Sequence, residues 1–97
     1  MNYETLRWEM DSAVAMVTLA RPEKRNAISA RMIEELLAAF EQAEKSAARV
    51  VILTGSGKAF CAGMDLEELQ GLARKSRKEN LEDSRRMAAL FRRIHEF

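Results

Sequence analysis

One cysteine, one proline and one histidine are all that a chain of 97 residues contains of these types, and each scarcity removes a class of explanation. A lone Cys61 rules out an intrachain disulfide framework and any cysteine-rich metal site. It suits a reducing compartment, so the cytoplasm is the expected location. A single histidine, His95, cannot assemble a metal centre. Pro22 is the one proline and there are four glycines, which is not the composition of a disordered or low-complexity segment. Charge of one sign is lacking too: 16 Lys and Arg against 15 Asp and Glu leave a net charge of +1. That balance gives no electrostatic case for nucleic acid or a membrane surface as partner. No apolar run approaches the roughly 20 residues of a membrane span. The start of the chain, Met1-Asn2-Tyr3-Glu4-Thr5-Leu6-Arg7-Trp8, has neither the basic-then-apolar pattern of a secretory signal nor the look of a transit peptide.

What is present is 47% apolar and 32% charged, an ordinary balance for a folded, water-soluble unit with one modest core. Residues 3–10 and 14–19 are rich in β-formers and flank the turn signal Asp11-Ser12, which predicts a β-hairpin. Residues 20–27 hold Pro22 among charged residues and read as a loop after a strand end. Ser29 is placed to cap a helix over 30–46, whose apolar positions Ile33, Leu36, Leu37, Phe40 and Ala43 follow helical spacing while Glu34 and Glu35 point elsewhere. Val50-Val51-Ile52-Leu53, ended by Thr54-Gly55-Ser56-Gly57, predicts a strand over 49–54 covered on both faces in a parallel sheet. Strand, helix and strand then form a right-handed βαβ unit. Asp65 and Glu68 suggest a capping-box start to a short helix over 65–70, with Gly71 as its stop. Residues 74–80 read as an exposed connector. Met87, Leu90, Phe91 and Ile94 then share one face of a helix over 80–95.

The chemistry concentrates in two loops. Arg21-Pro22-Glu23-Lys24-Arg25-Asn26-Ala27 leaves one strand end, and Gly55-Ser56-Gly57-Lys58-Ala59-Phe60-Cys61-Ala62-Gly63-Met64-Asp65-Leu66 leaves another. In an open α/β sheet, loops at the carboxyl ends of strands converge on a ligand crevice. Ala62-Gly63-Met64 brings backbone N–H groups to the start of the short helix, an arrangement suited to stabilising an oxyanion. Gly63 permits close approach and the Met64 N–H is the candidate donor. The small side chains of Ala27 and Ala62 let a flat ligand lie against main chain, and Lys24 and Arg25 are placed to meet phosphates.

These two segments, at this separation, resemble the N-terminal signature of the enoyl-CoA hydratase/isomerase (crotonase) superfamily, and the likeness spans most of residues 14–69. It implies the N-terminal part of a ClpP/crotonase-like α/β fold, here a β-hairpin plus a βαβ unit with further helices. It also implies an acyl-CoA thioester as partner, its carbonyl held by two backbone N–H groups that stabilise an enolate. By the same resemblance, Met64 matches the first N–H donor. Lys24, Arg25 and Ala27 match positions along the coenzyme A and acyl part, and Ala62, Asp65 and Leu66 match positions around the adenine and pantetheine. No cofactor is expected apart from the coenzyme A that the substrate carries. The second N–H donor and the acid/base carboxylates of such enzymes lie in later segments that match nothing here. The chain by itself is therefore expected to be inactive, and its strand 49–54, lacking a neighbour, is expected to promote self-association. Hydration of a 2-enoyl-CoA is the leading reaction for the family, ahead of isomerisation, decarboxylation or thioester hydrolysis.

Blander readings hold for other features. Gly55-Ser56-Gly57-Lys58 fails as a phosphate loop, because the first required glycine falls at Ile52 and Ala59 stands where Ser or Thr is needed. The dinucleotide pattern fails at Phe60. Cys61 reads as a small buried hydrophobe and His95 as a helix-end residue. Asp65 reads first as a helix cap. The basic cluster of Arg74, Lys75, Arg77, Lys78, Arg85, Arg86, Arg92 and Arg93 is interleaved with Glu79, Glu82, Asp83 and Glu96, a solvated face rather than an RNA-binding one.

Overall fold

The computed structural model describes residues 2–97. Among these, the element order is β1 (Leu6–Asp11), β2 (Val14–Leu19), α1 (Ala30–Lys45), β3 (Val50–Gly55), α2 (Leu66–Leu72) and α3 (Arg77–Glu96), with one 3-10 turn at Pro22–Lys24. The sheet order is β1-β2-β3. β1 and β2 form the hairpin, joined through Ser12, whose φ of 55° puts it in the left-handed region. β3 returns parallel to β2 after α1, with Val14 opposite Val50 and Leu19 opposite Gly55. The two parallel strands therefore end flush, and the loops that follow them start side by side.

Alternation along the strands sends Leu6, Val17 and Leu19 to one face, where Met32, Ile33, Leu36 and Ala39 of α1 meet them; Leu90 of α3 completes the core. Full burial of each large side chain contributes about 1.5–3 kcal/mol. α3 lies against α1 through Leu90, with Met87 and Ile94 packed beside it. Surface ion pairs Arg86–Glu34 (3.3 Å) and Arg93–Glu44 (3.7 Å) flank that contact. Phe97 sets its ring edge-on to Phe40, with 6.0 Å between centroids.

Several local expectations change. The first strand begins at Leu6 rather than 3, because the chain before it bonds to a carboxylate instead of a strand. Glu35, predicted to face away from the core, is buried: it accepts hydrogen bonds from Glu4 N (2.9 Å), Thr5 N (2.7 Å) and the Thr5 hydroxyl (2.6 Å). β3 is not covered on both faces. Val50 is 52% and Ile52 42% exposed, since α1 takes the face carrying Val51 and Leu53 and nothing among the described residues packs on the other. Phe91 is 54% exposed, because α3 meets α1 along the narrow line of Met87, Leu90 and Ile94. Gly71 lies inside α2, which ends at Leu72 with Ala73 still in right-handed geometry. The connector is shorter than expected: Ser76 and Glu79 form a reciprocal capping box, each side chain bonding the other's N–H at 3.1 Å, and α3 starts at Arg77.

Burial alone would raise the Glu35 carboxyl, but the bonds from the Thr5 hydroxyl and from the N–H groups of Glu4 and Thr5, with Arg31 nearby, more than offset this and hold it below its ordinary 4.5. A lowered folded-state pKa gives stability that is fully present above the ordinary carboxylate range and is lost as pH falls through the folded value. Glu35→Ala is expected to cost about 1.5–3 kcal/mol in urea unfolding at neutral pH, because it strands a buried donor pair. That cost should shrink as the pH is lowered below the ordinary carboxylate value; a cost constant with pH would show that the charge of Glu35 does not hold the chain entry.

Candidate functional site

The flush ends of β2 and β3 send two loops out together, and side chains knit them. Ser56 donates from its N–H (2.9 Å) and its hydroxyl (3.0 Å) to Leu19 O. Gly55 has no room for a side chain: a Cβ there would lie 2.5–2.9 Å from backbone atoms of Phe60 and Ala59, so the second loop folds back directly over the strand end.

The principal link is Asn26, fully buried and with a φ of 57°. Its Oδ1 accepts from Arg21 N (2.8 Å), which closes the first loop on itself, while Nδ2 donates to Ser56 O (2.9 Å) and Ala59 O (2.8 Å) of the second loop. Asn is among the few non-glycine residues that enter the left-handed region readily, which is why the chain can turn here and keep a side chain that bonds. From the sequence alone Asn26 reads only as part of a loop. Its signal was a left-handed-tolerant residue next to Arg25, which is also left-handed, with a φ of 54°.

Further on, Ile28 and Met64 pair as an isolated parallel bridge. Ile28 N donates to Gly63 O and Asp65 N donates to Ile28 O, both at 2.7 Å. In such a pairing one residue spends both main-chain groups on the neighbours of its partner, so the partner's N–H points the other way. Among the described residues, the Met64 N–H has no acceptor. Gly63, with a φ of 96°, makes the bend that presents it. Met64 also lines a cavity of about 260 Å³ between the start of α1, α2 and α3, with Ile28, Ile33, Leu72 and Met87 as its apolar wall and Glu68 and Asp83 among its polar residues.

Of the candidate site residues Lys24, Arg25, Ala27, Ala62, Met64, Asp65 and Leu66, Met64 alone lines that cavity. Lys24 and Arg25 are exposed on the outer side of the 3-10 turn, and Ala62 and Leu66 are exposed near the second loop's end. Ala27 is half-buried, its carbonyl accepting from Arg21 Nη1 (2.7 Å). Asp65 is buried and caps α2 by accepting from Glu67 N (2.8 Å), while Arg21 Nη2 pairs with its Oδ2 at 3.1 Å. Burial alone would raise the Asp65 carboxyl. The N–H of Glu67, the Arg21 guanidinium and the N–H of Glu68 outweigh it and hold it below 3.8. Glu68 does not complete a capping box with Asp65; its Oε1 accepts from Ala30 N (2.8 Å) and ties α2 to the start of α1. Cys61 is half-buried against the core, and His95 is exposed. No group of three potential metal ligands exists among the described residues, and none of their helices is long and apolar enough to cross a membrane.

With this geometry in place, the relatives are informative. The chain belongs to the enoyl-CoA hydratase/isomerase family, whose model matches residues 9–96. It is 50% identical over 66 residues to a Rhodobacter capsulatus protein named "Probable enoyl-CoA hydratase", covering 68% of this chain and 25% of that one. It is 45% identical over 68 residues to the hydroxycinnamoyl-CoA hydratase-lyase of Pseudomonas fluorescens, covering 69% and 25%. The crystal structure of an enoyl-CoA hydratase from Shewanella pealeana superposes with a TM-score of 0.87 at 30% identity, over 90% of this chain and 33% of that one. The crotonase fold is thus shared, and the chain spans about a quarter of the length of the curated relatives it matches.

The Asn26 clamp can be tested on stability alone. Asn26→Ala removes three hydrogen bonds and forces alanine into the left-handed region, an expected loss of about 3 kcal/mol or more in urea unfolding. Asn26→Gly, which loses the same bonds but tolerates the backbone, is expected to be about 1 kcal/mol less damaging. Equal losses would show that the backbone conformation at Asn26 carries no cost.

Proposed function

We propose that the chain binds an acyl-CoA thioester where its two loops converge, and that the thioester oxygen accepts a hydrogen bond from the Met64 N–H, half of an oxyanion hole for an enolate-like anion. The observation that carries this reading is that, among the described residues, the Met64 N–H is left without an acceptor by the Ile28 pairing, in a residue that lines the cavity. Family membership supplies the substrate class. Lys24 and Arg25, exposed beside that loop junction, suit the phosphates of coenzyme A, and Ala27, Ala62, Asp65 and Leu66 complete the substrate-binding set by their match to the family pattern. Hydration of a 2-enoyl-CoA is the reaction favoured for the whole enzyme, in agreement with the names of its relatives; isomerisation would use the same anion.

The chain by itself is proposed to bind without turning over. Glu68 and Asp83, the carboxylates at the cavity, are engaged by Ala30 N and by Lys75, and one backbone donor is half of the constellation. Removing a single oxyanion donor typically costs about 10²–10³ in kcat. Calorimetry is expected to show tighter binding of crotonyl-CoA than of coenzyme A, with no loss of the enoyl absorbance over hours. Met64→Pro, which deletes the donor, should abolish the difference between the two ligands while Met64→Ala keeps it. Equal affinity of the unaltered chain for both ligands would refute the thioester contact, and steep salt-dependent binding of single-stranded RNA with no response to coenzyme A would favour a nucleic-acid role instead.

Copies of the chain are also proposed to associate. Among the described residues β3 lies at the end of the sheet, with an unpaired strand edge next to the exposed Val50 and Ile52, a template for pairing with another chain. Light scattering over a concentration series is expected to show a rising mean mass; a monomer at high micromolar concentration would exclude it.

A further inference from the structure

We propose that Arg21 is a positioning residue for the Met64 N–H, a role that rests on the thioester contact inferred above. The guanidinium reaches both chains of the Ile28–Met64 bridge at once. Nη1 donates to the carbonyl of Ala27, the residue before Ile28, and Nη2 pairs with the carboxylate of Asp65, the residue after Met64, at 2.7 and 3.1 Å. The side chains of both partners are largely shielded, 17% exposed for Arg21 and 10% for Asp65. Arg21 is itself fixed by its main chain: its N–H donates to Asn26 Oδ1, and its carbonyl accepts from the N–H groups of Lys24 (3.0 Å) and Asn26 (2.9 Å).

The consequence lies in what holds the bridge. Two main-chain bonds join Ile28 to the Gly63–Asp65 segment, and Ala62 and Gly63 beside them are exposed. Left to themselves, two bonds at the margin of a surface loop open readily. A planar guanidinium with two donors in a fixed fork closes the same gap from the side. It holds the Gly63–Asp65 segment in the register that turns the Met64 N–H away from Ile28. Lysine could keep the charge against Asp65, but a single ammonium has no rigid fork with which to hold the Ala27 carbonyl as well. Arg21 does not itself line the cavity, so its effect on a ligand there passes through Met64.

The experiment compares acetoacetyl-CoA, a thioester that readily forms an enolate, with coenzyme A, which has no acyl carbonyl. Calorimetry gives both affinities, and the amide resonance of Met64 in the 97-residue chain reports the hydrogen bond directly. In the unaltered chain acetoacetyl-CoA should move the Met64 resonance and coenzyme A should not. In Arg21→Met the affinity for coenzyme A should be kept, while the preference for the thioester falls about tenfold or more and the Met64 shift shrinks; Arg21→Lys should recover part of both. An unchanged preference and shift in Arg21→Met overturns the proposal, as does a parallel weakening of both ligands, the mark of a merely structural role. If Arg21→Met does not fold, Arg21→Lys is read by the same two outcomes. If the Met64 resonance of the unaltered chain ignores acetoacetyl-CoA, the thioester reading itself fails and the positioning role falls with it.

Discussion

Everything at the loop end of this sheet depends on the parallel register of β2 against β3. With Leu19 opposite Gly55, the loops that follow begin at the same level, and a shift of one residue would also turn every side chain of β3 to the opposite face. Val51 and Leu53 would then leave the helix layer, and the core and the site would be lost together. The register is fixed by the same apolar positions that build the core, so stability and loop placement are two results of one packing arrangement.

From that common start, polar side chains rather than apolar ones shape the loops. Asn26 joins them at the strand ends, Arg21 joins them again near Met64, and Glu68 connects α2 to the first residue of α1. Each of these links joins residues thirty or more positions apart. Buried polar contacts of this kind are costly when incomplete, so the loops have one low-energy arrangement despite their small apolar content. The acceptor-free N–H of Met64 is an exception held in place by its satisfied neighbours.

The same distinction explains how much could be read from the sequence. Local patterns were readable because their partners are local: the hairpin around Ser12, the Ser29 cap that accepts from Met32 N at 3.2 Å, the helical spacing of α1 and the βαβ order. The Ser76-x-x-Glu79 box was equally readable and would have placed the start of α3. Glu35 was not readable, since its partners at Glu4 and Thr5 lie some thirty residues away, and a glutamate on a helix is ordinarily solvated. The cover of β3 failed as a reading for another reason: an apolar run tells that a strand can be buried, not how many faces the surrounding elements cover. Within the candidate site, the meeting of the two loops is legible in the motif, whereas the links made by Arg21 and Asn26 need the three-dimensional pairing.

A donor supplied by the main chain has a further consequence. The amide of Met64 would be chemically the same on almost any side chain, so under the proposed thioester contact residue 64 is free to be chosen for the shape of the cavity it lines while the group proposed to meet the ligand stays constant. In that proposal shape and reactivity are carried by different parts of one residue, and a survey of side-chain chemistry would pass over the proposed donor. What identifies it is the way the chain is bent and paired around it: a left-handed glycine before it, a neighbour that uses its own bonds elsewhere, and an arginine binding the two strands together.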